Sequence, residues 1–553
     1  MLKKHIRSAA VAGFAVAALA LTACTGSAAP DEDETGDSAT IGEEQSVGAM
    51  EEFEAGTSFK ATEPVDFSLM YRDHTGYPVK DDWSVFTHLE EDRNVTFSRT
   101  DIPMADYEQK RSLLIGGGEA TDIISVTYSG QETQFVSGGA ILPVSDYFEY
   151  MPNFQQKIED WGLEEELEAG EQEDGKNYLL PGLREVPDIQ YSVMIRDDLW
   201  KAAGITEDPE TWDEFAEQLA TVKAANPDLQ YALSDRWTDQ TPLGSFLNVM
   251  APNYGTSAGW GYANTYYDQD AEEFVFTGAT DGYRDVVTYA ADLVEQGLLD
   301  PEITQSDDQA IQKFVSGASA AISGNTQALS DYRTKLADAG KGDLPIRLIS
   351  VPAGPAGSNV AGTRFTSGVM LSSDVADKPY FKALLQFIDW MYYSDEGLEF
   401  GLFGVEGETF ERGSDGTPAL LSDIGWSSIN PDAPKKLNAD FGYSNGVFVL
   451  ANGSSAALTQ AMMTPEIAEW TAAQLEAKEV LPVAPAARLN EMELEQTTLV
   501  ETQLKDAVQA ATAAFITGQR SIDEWDAYVT EMQGLGSDQL IDTMNTALER
   551  TQK

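Results

Sequence analysis

Two hydrophobic patterns alternate along the chain from about residue 61 to its end. Short runs of β-branched and other apolar residues predict strands at residues 65–70 (VDFSLM), 121–126 (TDIISV) and 347–351 (RLISV). Between such runs, apolar residues recur at helical spacing. After the capping box at residues 211–214 (TWDE), Phe215, Leu219 and Val222 share one helical face. Strands that alternate with helices predict an α/β fold.

Two further helices are indicated nearer the C-terminus. One begins at about Tyr380, places Leu384 and Phe387 on one face and ends near Gly397, and another follows the capping box at residues 521–524. Aromatic residues in helical stripes are expected in the core. This expectation covers Trp200, Trp212, Trp390 and Trp525.

The first 23 residues are typical of a secretory signal peptide. Lys3, Lys4 and Arg7 precede an apolar stretch at residues 9–21, which is shorter than the roughly 20 residues of a membrane helix. The tetrapeptide that ends at Cys24, the only cysteine, is Leu-Thr-Ala-Cys and resembles the lipobox of bacterial lipoproteins. That resemblance implies lipidation of Cys24. The alternative is an ordinary signal peptide with an incidental cysteine.

Residues 24–60 predict a disordered acidic linker. Small residues alternate there with acidic pairs, as at residues 31–32, 43–44 and 51–52. No later apolar stretch is long enough to form a membrane helix. We therefore expect a folded body held on a lipid tether, on the extracellular face of the bacterial cytoplasmic membrane.

The charge balance limits the partners. Asp and Glu number 92 against 35 Lys and Arg, a net charge of −57, so the chain would repel nucleic acid and anionic lipid surfaces. Polyanionic sugars are disfavoured for the same reason. The 42% hydrophobic content is that of a globular protein, and the length of 553 residues predicts two or three domains.

Motifs for catalysis and metal binding are absent from the sequence. Beyond the signal peptide the histidines are His74 and His88, and HExxH, Cys-x-x-Cys, a phosphate loop and a Gly-x-Ser-x-Gly elbow are all missing. The run of glycines at residues 116–118 predicts a turn. We expect no metal, no cofactor and no catalytic residues. The 92 acidic residues offer many pairs of carboxylates, the residue type that glycoside hydrolysis uses, so their spacing does not favour that function.

Nine segments occur in the order found in a known family. They are residues 114–124 (LIGGGEATDII), 139–147 (GAILPVSDY), 174–181 (DGKNYLLP), 195–200 (IRDDLW), 211–215 (TWDEF), 297–302 (GLLDPE), 352–357 (PAGPAG), 392–397 (YYSDEG) and 404–407 (GVEG). Together they resemble extracellular solute-binding protein family 1, the large oligosaccharide-binding lipoproteins of bacterial ABC importers. One departure concerns a loop that binds calcium in some relatives, because its first matching position is Gln172 and lacks a carboxylate.

The resemblance implies a type II periplasmic-binding-protein fold, in which two α/β lobes close on a ligand. We expect an N-terminal lobe of residues 61–185 and about 358–430, and a C-terminal lobe of residues 186–357 and about 431–553. Crossing segments are expected near residues 181–190 and 351–357, with a third after Glu406, because Pro and Gly interrupt the strand pattern there.

Sugar sites combine flat aromatic rings with polar side chains that pair with hydroxyl groups. The aromatic candidates lie outside helical stripes and are Tyr128, Trp237, Trp260, Tyr262 and Trp426. The rule that strand ends bind ligands in open α/β sheets adds three residues after the first strand, Tyr71, Arg72 and Asp73. The family's cleft segments imply Asn325, Arg364 and Glu406, with a structural ion pair as an equal alternative for Arg364.

These observations predict a monomeric, non-enzymatic binding protein that captures a neutral plant- or host-derived oligosaccharide and hands it to the permease subunits of an ABC transporter. Two alternatives stay open. One is a surface-anchored glycoside hydrolase, and the other is a lipoprotein that binds peptides or signalling molecules.

Overall fold

The computed structural model describes residues 39–187, 189–236, 241–361, 364–445 and 453–551, all within one unit, Ala39–Lys553. Two predicted functional positions, Cys24 and Trp237, lie outside the described residues. The strands are β1 (Val65–Asp73), β2 (Val95–Pro103), β3 (Ile123–Thr127), β4 (Leu180–Leu183), β5 (Tyr191–Arg196), β6 (Tyr231–Ser234), β7 (Thr265–Asp268), β8 (Glu273–Phe276), β9 (Ser319–Asn325), β10 (Ile346–Leu348), β11 (Asn359–Val360), β12 (Phe365–Leu371), β13 (Phe410–Arg412), β14 (Pro418–Leu420), β15 (Ile424–Gly425), β16 (Lys435–Lys436) and β17 (Glu479–Val480).

The helices alternate with these strands. They are α1 (Ser84–Arg93), α2 (Tyr107–Gly116), α3 (Thr133–Val136), α4 (Pro152–Trp161), α5 (Glu164–Ala169), α6 (Asp197–Ala202), α7 (Trp212–Ala225), α8 (Gly244–Met250), α9 (Asp281–Glu295), α10 (Asp307–Ser316), α11 (Thr326–Asp338), α12 (Phe381–Tyr393), α13 (Asp395–Phe403), α14 (Ala456–Ala461), α15 (Pro465–Ala477), α16 (Glu491–Ile516), α17 (Trp525–Gly534) and α18 (Ser537–Thr551). Within the described ranges, none of them combines the length and apolarity that crossing a membrane requires.

Two main sheets organise the chain. The first has the order β2-β1-β3-β12-β4, in which β1 is parallel to β2 and β3 whereas β12 is antiparallel to β3 and β4. The second has the order β10-β5-β9-β6, with β5 antiparallel to both neighbours. All five residues of β3 are buried, as expected for a central strand covered on both faces.

Each sheet has its own hydrophobic core. In the first, Phe67 of β1 packs against Phe387 of α12 with ring centroids 5.5 Å apart. In the second, α7 and α8 pack on the sheet, α9 and the C-terminal helices α16–α18 extend the same core, and a smaller cluster joins α10, α11 and α15. We call the first body lobe 1 and the second lobe 2. The four helical tryptophans expected in the core are all buried, so that prediction is confirmed.

Local helix signals are largely reproduced. The hydroxyl of Thr211 accepts a hydrogen bond from the backbone amide of Glu214 (3.2 Å), as the capping box predicts. The single helix predicted from about Tyr380 to Gly397 is instead two helices, because Ser394 ends α12 and caps α13. The corner between them is tight. A Cβ atom at Gly397 would lie 1.9 Å from the carbonyl oxygen of Trp390.

The prediction of a linker up to residue 60 is wrong for residues 39–60. Met50 exchanges backbone hydrogen bonds with the side chain of Gln386 (2.8 and 3.1 Å), and Phe59 is fully buried against Phe387. Ile41 and Phe53 also pack on lobe 1. These apolar residues lack a regular period, so their burial depends on the groove that α12 offers.

The predicted lobe boundary at residues 430–431 is also wrong. Leu437 and Tyr443 are fully buried in the core of lobe 1, and Met462 still belongs to that core. Ile467 belongs to the smaller cluster of lobe 2. Similarly, Asn359 bonds to Asn253 of lobe 2 (3.0 Å), so this stretch stays with lobe 2 up to about residue 361.

Candidate functional site

The strand ends of both sheets converge on the segments that connect the lobes. In lobe 1, the start of β12 at Phe365 lies opposite the end of β4 at Leu183. In lobe 2, the start of β5 at Tyr191 lies opposite the end of β9 at Asn325. Because the chain crosses from β4 to β5 and from β10 to β12, these strand ends face the crossing segments. Such crevices at strand ends are the usual ligand sites of open α/β sheets.

The three crossing segments lie side by side. The amide of Arg184 donates to the carbonyl of Arg364 (2.9 Å), and the amide of Ser454 donates to the carbonyl of Leu183 (2.9 Å). The amide of Glu185 then donates to the carbonyl of Ser454 (3.2 Å). A short bundle of hydrogen-bonded segments between two bodies has the geometry of a hinge.

A cavity of about 190 Å³ lies between the lobes at this hinge. Lobe 1 contributes Trp426 and Leu402, and lobe 2 contributes Thr326 and Gln327. The remaining described lining residues come from the crossing segments and their neighbours, namely Arg184, Gln190, Ser427, Ser428, Ser454, Thr459, Met462, Met463 and Ile467. Trp426 is half-buried, and its indole nitrogen donates to the carbonyl of Ser444 (3.2 Å). Its ring therefore has a fixed orientation on the cavity wall.

An aromatic pair stands at the lobe 2 side. Trp260 packs edge-to-face on Tyr191, with centroids 5.1 Å apart and planes at 66°. Tyr191 is 37% exposed and lines a second, small cavity of about 60 Å³ together with Gln190 and Asn248. The turn that carries Trp260 requires Gly259, whose φ is +63° and whose added Cβ would lie 2.2 Å from the carbonyl oxygen of Gly244.

Tyr191 was not among the sequence candidates. It is the first residue of β5 and directly follows the first crossing segment, so the strand-end rule that selected Tyr71, Arg72 and Asp73 also applies to it. The signal was present in the sequence, but finding it required knowing where the strand begins.

The end of β3 carries Tyr128 on the lobe 1 side. This tyrosine is 50% exposed. Two residues before it, Val126 has a φ of +52°, which is strained for a β-branched residue. The buried guanidinium of Arg111 holds this turn, because it donates to the carbonyl of Val126 (2.9 Å) and to the hydroxyl of Thr127 (3.2 Å). Arg111 lies inside α2, where the sequence offers no signal for this role.

The three candidates after the first strand have different surroundings. Tyr71 is fully buried and its hydroxyl accepts a hydrogen bond from Asn445 (3.1 Å), so in this structure its side chain belongs to the core of lobe 1. Asp73 accepts a hydrogen bond from the amide of Val79 (2.9 Å) and organises the following turn. Arg72 is half-buried, and its Nε has no hydrogen-bond partner among the described residues.

On lobe 2, hydrogen bonds to backbone amides hold the candidate Asn325 and the residue Asp235, which precedes the candidate Trp237. Asn325 caps α11, where its side-chain oxygen accepts a hydrogen bond from the amide of Ala328 (2.8 Å). At the end of β6, Asp235 accepts hydrogen bonds from the amide of Phe246 (3.2 Å) and from the hydroxyl of Ser323. Burial raises the pKa of the Asp235 carboxyl to about 7 despite these hydrogen bonds. This buried carboxyl lies two residues before Trp237.

Three other candidate side chains are either buried or already paired with other groups of the protein. Tyr262 is 6% exposed, with its ring packed against Tyr283 at 5.5 Å. Arg364 forms an ion pair with Glu166 and donates to the carbonyls of Trp161 and Gly162 (both 2.7 Å). Glu406 forms an exposed ion pair with Arg412 (3.2 Å) and does not line the interlobe cavity. Burial or an existing partner occupies each of these three side chains, and their contact with a ligand stays a prediction.

The acidic loop around Gln172 is closed by bonds within the protein. The amide of Gln172 donates to the carbonyl of Lys176 (2.9 Å), and the hydroxyl of Tyr178 donates to Asp174 (2.7 Å). Lys176 pairs with Asp146 (2.7 Å). Across the described ranges, no group of three or more His, Cys, Asp or Glu side chains is arranged to hold a metal ion.

Comparisons with known sequences identify relatives of this chain. The model of the family described as bacterial extracellular solute-binding protein matches residues 76–396. Lipoprotein LipO of Bacillus subtilis is 23% identical over 315 residues, which cover 56% of this chain and 60% of LipO, less than two thirds of its length. The fructooligosaccharide ABC transporter substrate-binding protein FusA of Streptococcus pneumoniae is 22% identical over 488 residues, or 82% of this chain and 84% of FusA.

Solved structures show the same architecture. An extracellular solute-binding protein from Bifidobacterium longum subsp. infantis superposes with a TM-score of 0.69 at 15% identity, covering 90% of this chain and all of that one. FusA in complex with kestose gives 0.64 at 19% identity, covering 88% of this chain and 99% of that one. The predicted two-lobe periplasmic-binding-protein fold is thereby confirmed.

Proposed function

Because the chain belongs to the bacterial extracellular solute-binding protein family, we propose that it is the lipid-anchored substrate-binding subunit of an ABC importer. It captures an oligosaccharide between its lobes and delivers it to the permease subunits without chemical change. The single observation that carries this proposal is the convergence of aromatic and polar side chains from both lobes on the hinge.

The ligand contacts follow from the chemistry of pyranose and furanose rings. Their C–H faces pack on flat aromatic rings, and their hydroxyl groups pair with planar polar side chains. We assign the stacking role to Tyr128, Tyr191, Trp260 and Trp426, which are half-buried or exposed around the hinge. The polar role falls to Arg72, Arg184, Gln190, Asn325 and Gln327, and Trp237 remains a candidate by its position after β6.

The ligand favours closure of the lobes because it contacts more of the protein in the closed state than in the open state. A ligand that touches Trp426 of lobe 1 and Tyr191 of lobe 2 in the closed protein touches one lobe in an open protein, so binding favours closure. The hinge permits this motion because three single segments join the lobes. The permease can then recognise a closed, loaded form.

Two observations support a neutral sugar. The net charge of −57 disfavours an anionic ligand during encounter. FusA, which is similar to most of this chain, is named for fructooligosaccharides, and one of its structures holds kestose. We therefore propose a short neutral oligosaccharide as ligand.

The anchor is assigned to Cys24. The described part of the chain begins at Ala39, and 14 residues lie between it and Cys24. Their fully extended length is about 50 Å, which limits how far the folded body reaches from the outer face of the cytoplasmic membrane.

Thermal unfolding of the protein without residues 1–24 tests the proposal. The probes are kestose, trigalacturonate and a mixed tripeptide, and the ligand is recovered and analysed after the scan. A bound neutral sugar at about 100 times its Kd adds about 2.7 kcal/mol, which raises Tm while the sugar returns intact. Shortened sugar would establish a hydrolase instead. A Tm rise with the tripeptide alone would replace the sugar by a peptide ligand.

A further inference from the structure

The two lobes also touch away from the hinge, at an ion pair between Arg488 and Glu171. Arg488, in the segment before α16, donates from its guanidinium to the carboxylate of Glu171, in the loop between α5 and β4. The two side chains are 19% and 26% exposed. At this degree of burial the pair is screened less by solvent than the exposed pairs on the rest of the surface.

Arg488 is held on lobe 2. Its carbonyl accepts a hydrogen bond from Arg550 of α18 (3.0 Å), and Arg550 in turn pairs with Glu493 in the first turn of α16 (2.7 Å). Helix α16 is anchored in the lobe 2 core through Leu504, and the carbonyl of Glu501 accepts a hydrogen bond from the side chain of Asn264 (2.8 Å). The guanidinium therefore moves with lobe 2.

Glu171 is held on lobe 1. The next residue, Gln172, closes the loop through its amide and donates from its side chain to Glu132 (3.3 Å), which lies five residues after β3. Tyr178 then enters the lobe 1 core. Burial raises the pKa of the Glu171 carboxyl, Arg488 opposes this effect, and Glu168 and Asp174 add to it. Without its partner, this carboxylate would be buried next to other acidic groups.

The ion pair lies beside an open groove between the lobes. The groove has a volume of about 440 Å³ and is lined by Thr133, Val136 and Gln172 of lobe 1 and by Leu489 and Leu494 of the α16 end. The end of β3 at Thr127 lies opposite Gly368, close to the start of β12 at the hinge, and α3 follows that end. Because residues of both lobes line the groove, it lies on the side of lobe 1 that faces lobe 2. A contact at the cleft side must stretch or break when the lobes swing apart about the hinge.

We propose that Arg488 and Glu171 form a latch that stabilises the closed arrangement of the lobes and thereby positions the two halves of the ligand site. The inference rests on the proposed function in one respect, namely that closure is the capture step. The Arg488 guanidinium on lobe 2 attracts the negatively charged loop around Glu171 on lobe 1. This electrostatic attraction favours the closed arrangement of the lobes. The latch also predicts that closure weakens as salt concentration rises.

Distances between spin labels test the latch without any ligand. The folded part of the chain contains no cysteine, so Leu113→Cys on α2 and Thr334→Cys on α11 place one label on each lobe at exposed positions. Double electron–electron resonance then gives the distribution of distances between the two labels. It is measured for the labelled protein without further change and for the labelled Arg488→Gln and Glu171→Gln variants. Both variants are expected to shift the ratio of long to short distances by about fivefold. Raising NaCl from 50 to 500 mM should shift the unchanged protein in the same direction.

Arg520→Gln is the matched control. Arg520 is 17% exposed and pairs with Glu531 (2.9 Å), but both residues belong to lobe 2. This variant should leave the interlobe distances unchanged, and circular dichroism confirms that all variants are folded. Identical distributions for Arg488→Gln and the unchanged protein overturn the latch, as does an equal shift in Arg520→Gln. Because no sugar is present, failure of the latch is separate from failure of the sugar assignment.

Discussion

The carboxylate of Asp389 accepts hydrogen bonds from both the backbone amide and the side-chain amide of Asn153, at 3.0 and 2.7 Å. A third hydrogen bond comes from the amide of Phe154 (2.8 Å). Asp389, on α12, thus caps the first turn of α4 and joins two helices of lobe 1. Burial nevertheless raises its pKa to about 6, since desolvation of the carboxylate outweighs the three donors.

Asp389 makes the stability of the protein depend on pH. Its folded pKa lies above the unfolded value near 3.8, so its contribution is fully present below 3.8 and is lost as pH rises through about 6. The stability of the unchanged protein relative to Asp389→Asn should therefore increase from pH 7 to pH 4.5, by at most about 3 kcal/mol. Urea unfolding at both pH values measures this difference. The exposed Asp423→Asn change serves as control, and an equal pH effect in both variants contradicts the assignment.

His88 provides a second pH dependence, in the range from pH 6 to 8. Its ring nitrogens lie 2.9 Å from Asp92 and 2.8 Å from Glu408. Burial lowers the pKa of His88, but the hydrogen bonds and charges of both carboxylates outweigh it, so the pKa is raised above 6.5. Stability from this site is present below pH 6.5 and is lost as pH rises through the folded pKa. His88→Gln should remove about 1 kcal/mol at pH 6 and less at pH 8.

His74→Gln is the matched control for this measurement. His74 stacks on Tyr77 with centroids 4.1 Å apart, and burial together with Arg72 lowers its pKa. A lowered histidine pKa gives the opposite sign, so loss of His74 should not reproduce the His88 effect. Denaturant unfolding at pH 6 and 8 compares the variants. If both histidine variants change stability alike across this range, the bridge from His88 to Glu408 is not the cause.

The α/β class was predictable because it rests on local periodicity, whereas the two-lobe arrangement was implied by the resemblance of the ordered segments to a known family. The strands at 65–70 and 121–126 and the cap at Thr211 are specified by a few adjacent residues, and all appear where the sequence places them. The ends of the folded body were not predictable. Phe59 and Tyr443 carry no periodic signal, and each is buried by a helix or strand far away in the sequence.

The site was partly predictable for a related reason. Loop aromatics such as Trp426 and Trp260 do lie at the hinge, but the same pattern selected Tyr262, which α9 and α17 cover. Whether a loop ring is exposed depends on residues such as Tyr528, more than 250 positions later in the chain. Sequence position identified the loops, and only the packing distinguishes exposed rings from buried ones.

Trp426 should contribute directly to sugar affinity. Its ring lines the interlobe cavity and is oriented by the hydrogen bond to Ser444, so a sugar face that packs on it is shielded from water. Trp426→Ala should weaken the binding of kestose by about 10-fold to 100-fold, from the lost burial of about 1.5–3 kcal/mol. Titration calorimetry measures the change. Trp161→Ala removes a half-buried tryptophan that packs under Lys157 outside the cavity, and this control should retain full affinity.

Arg364 should contribute to stability without contributing to affinity. Although it lies in a crossing segment, its guanidinium is occupied by Glu166 and by the two carbonyls at the end of α4. Arg364→Met leaves the carboxylate of Glu166, whose side chain is 10% exposed, without its partner and should lower the free energy of unfolding by about 2–3 kcal/mol. The exposed pair of Arg412 is the control, since Arg412→Met should cost less than about 1 kcal/mol. Kestose affinity should stay within about twofold, because the side chain points to α4 and α5 rather than to the ligand. A large loss of affinity at unchanged stability would instead place Arg364 in direct contact with the sugar.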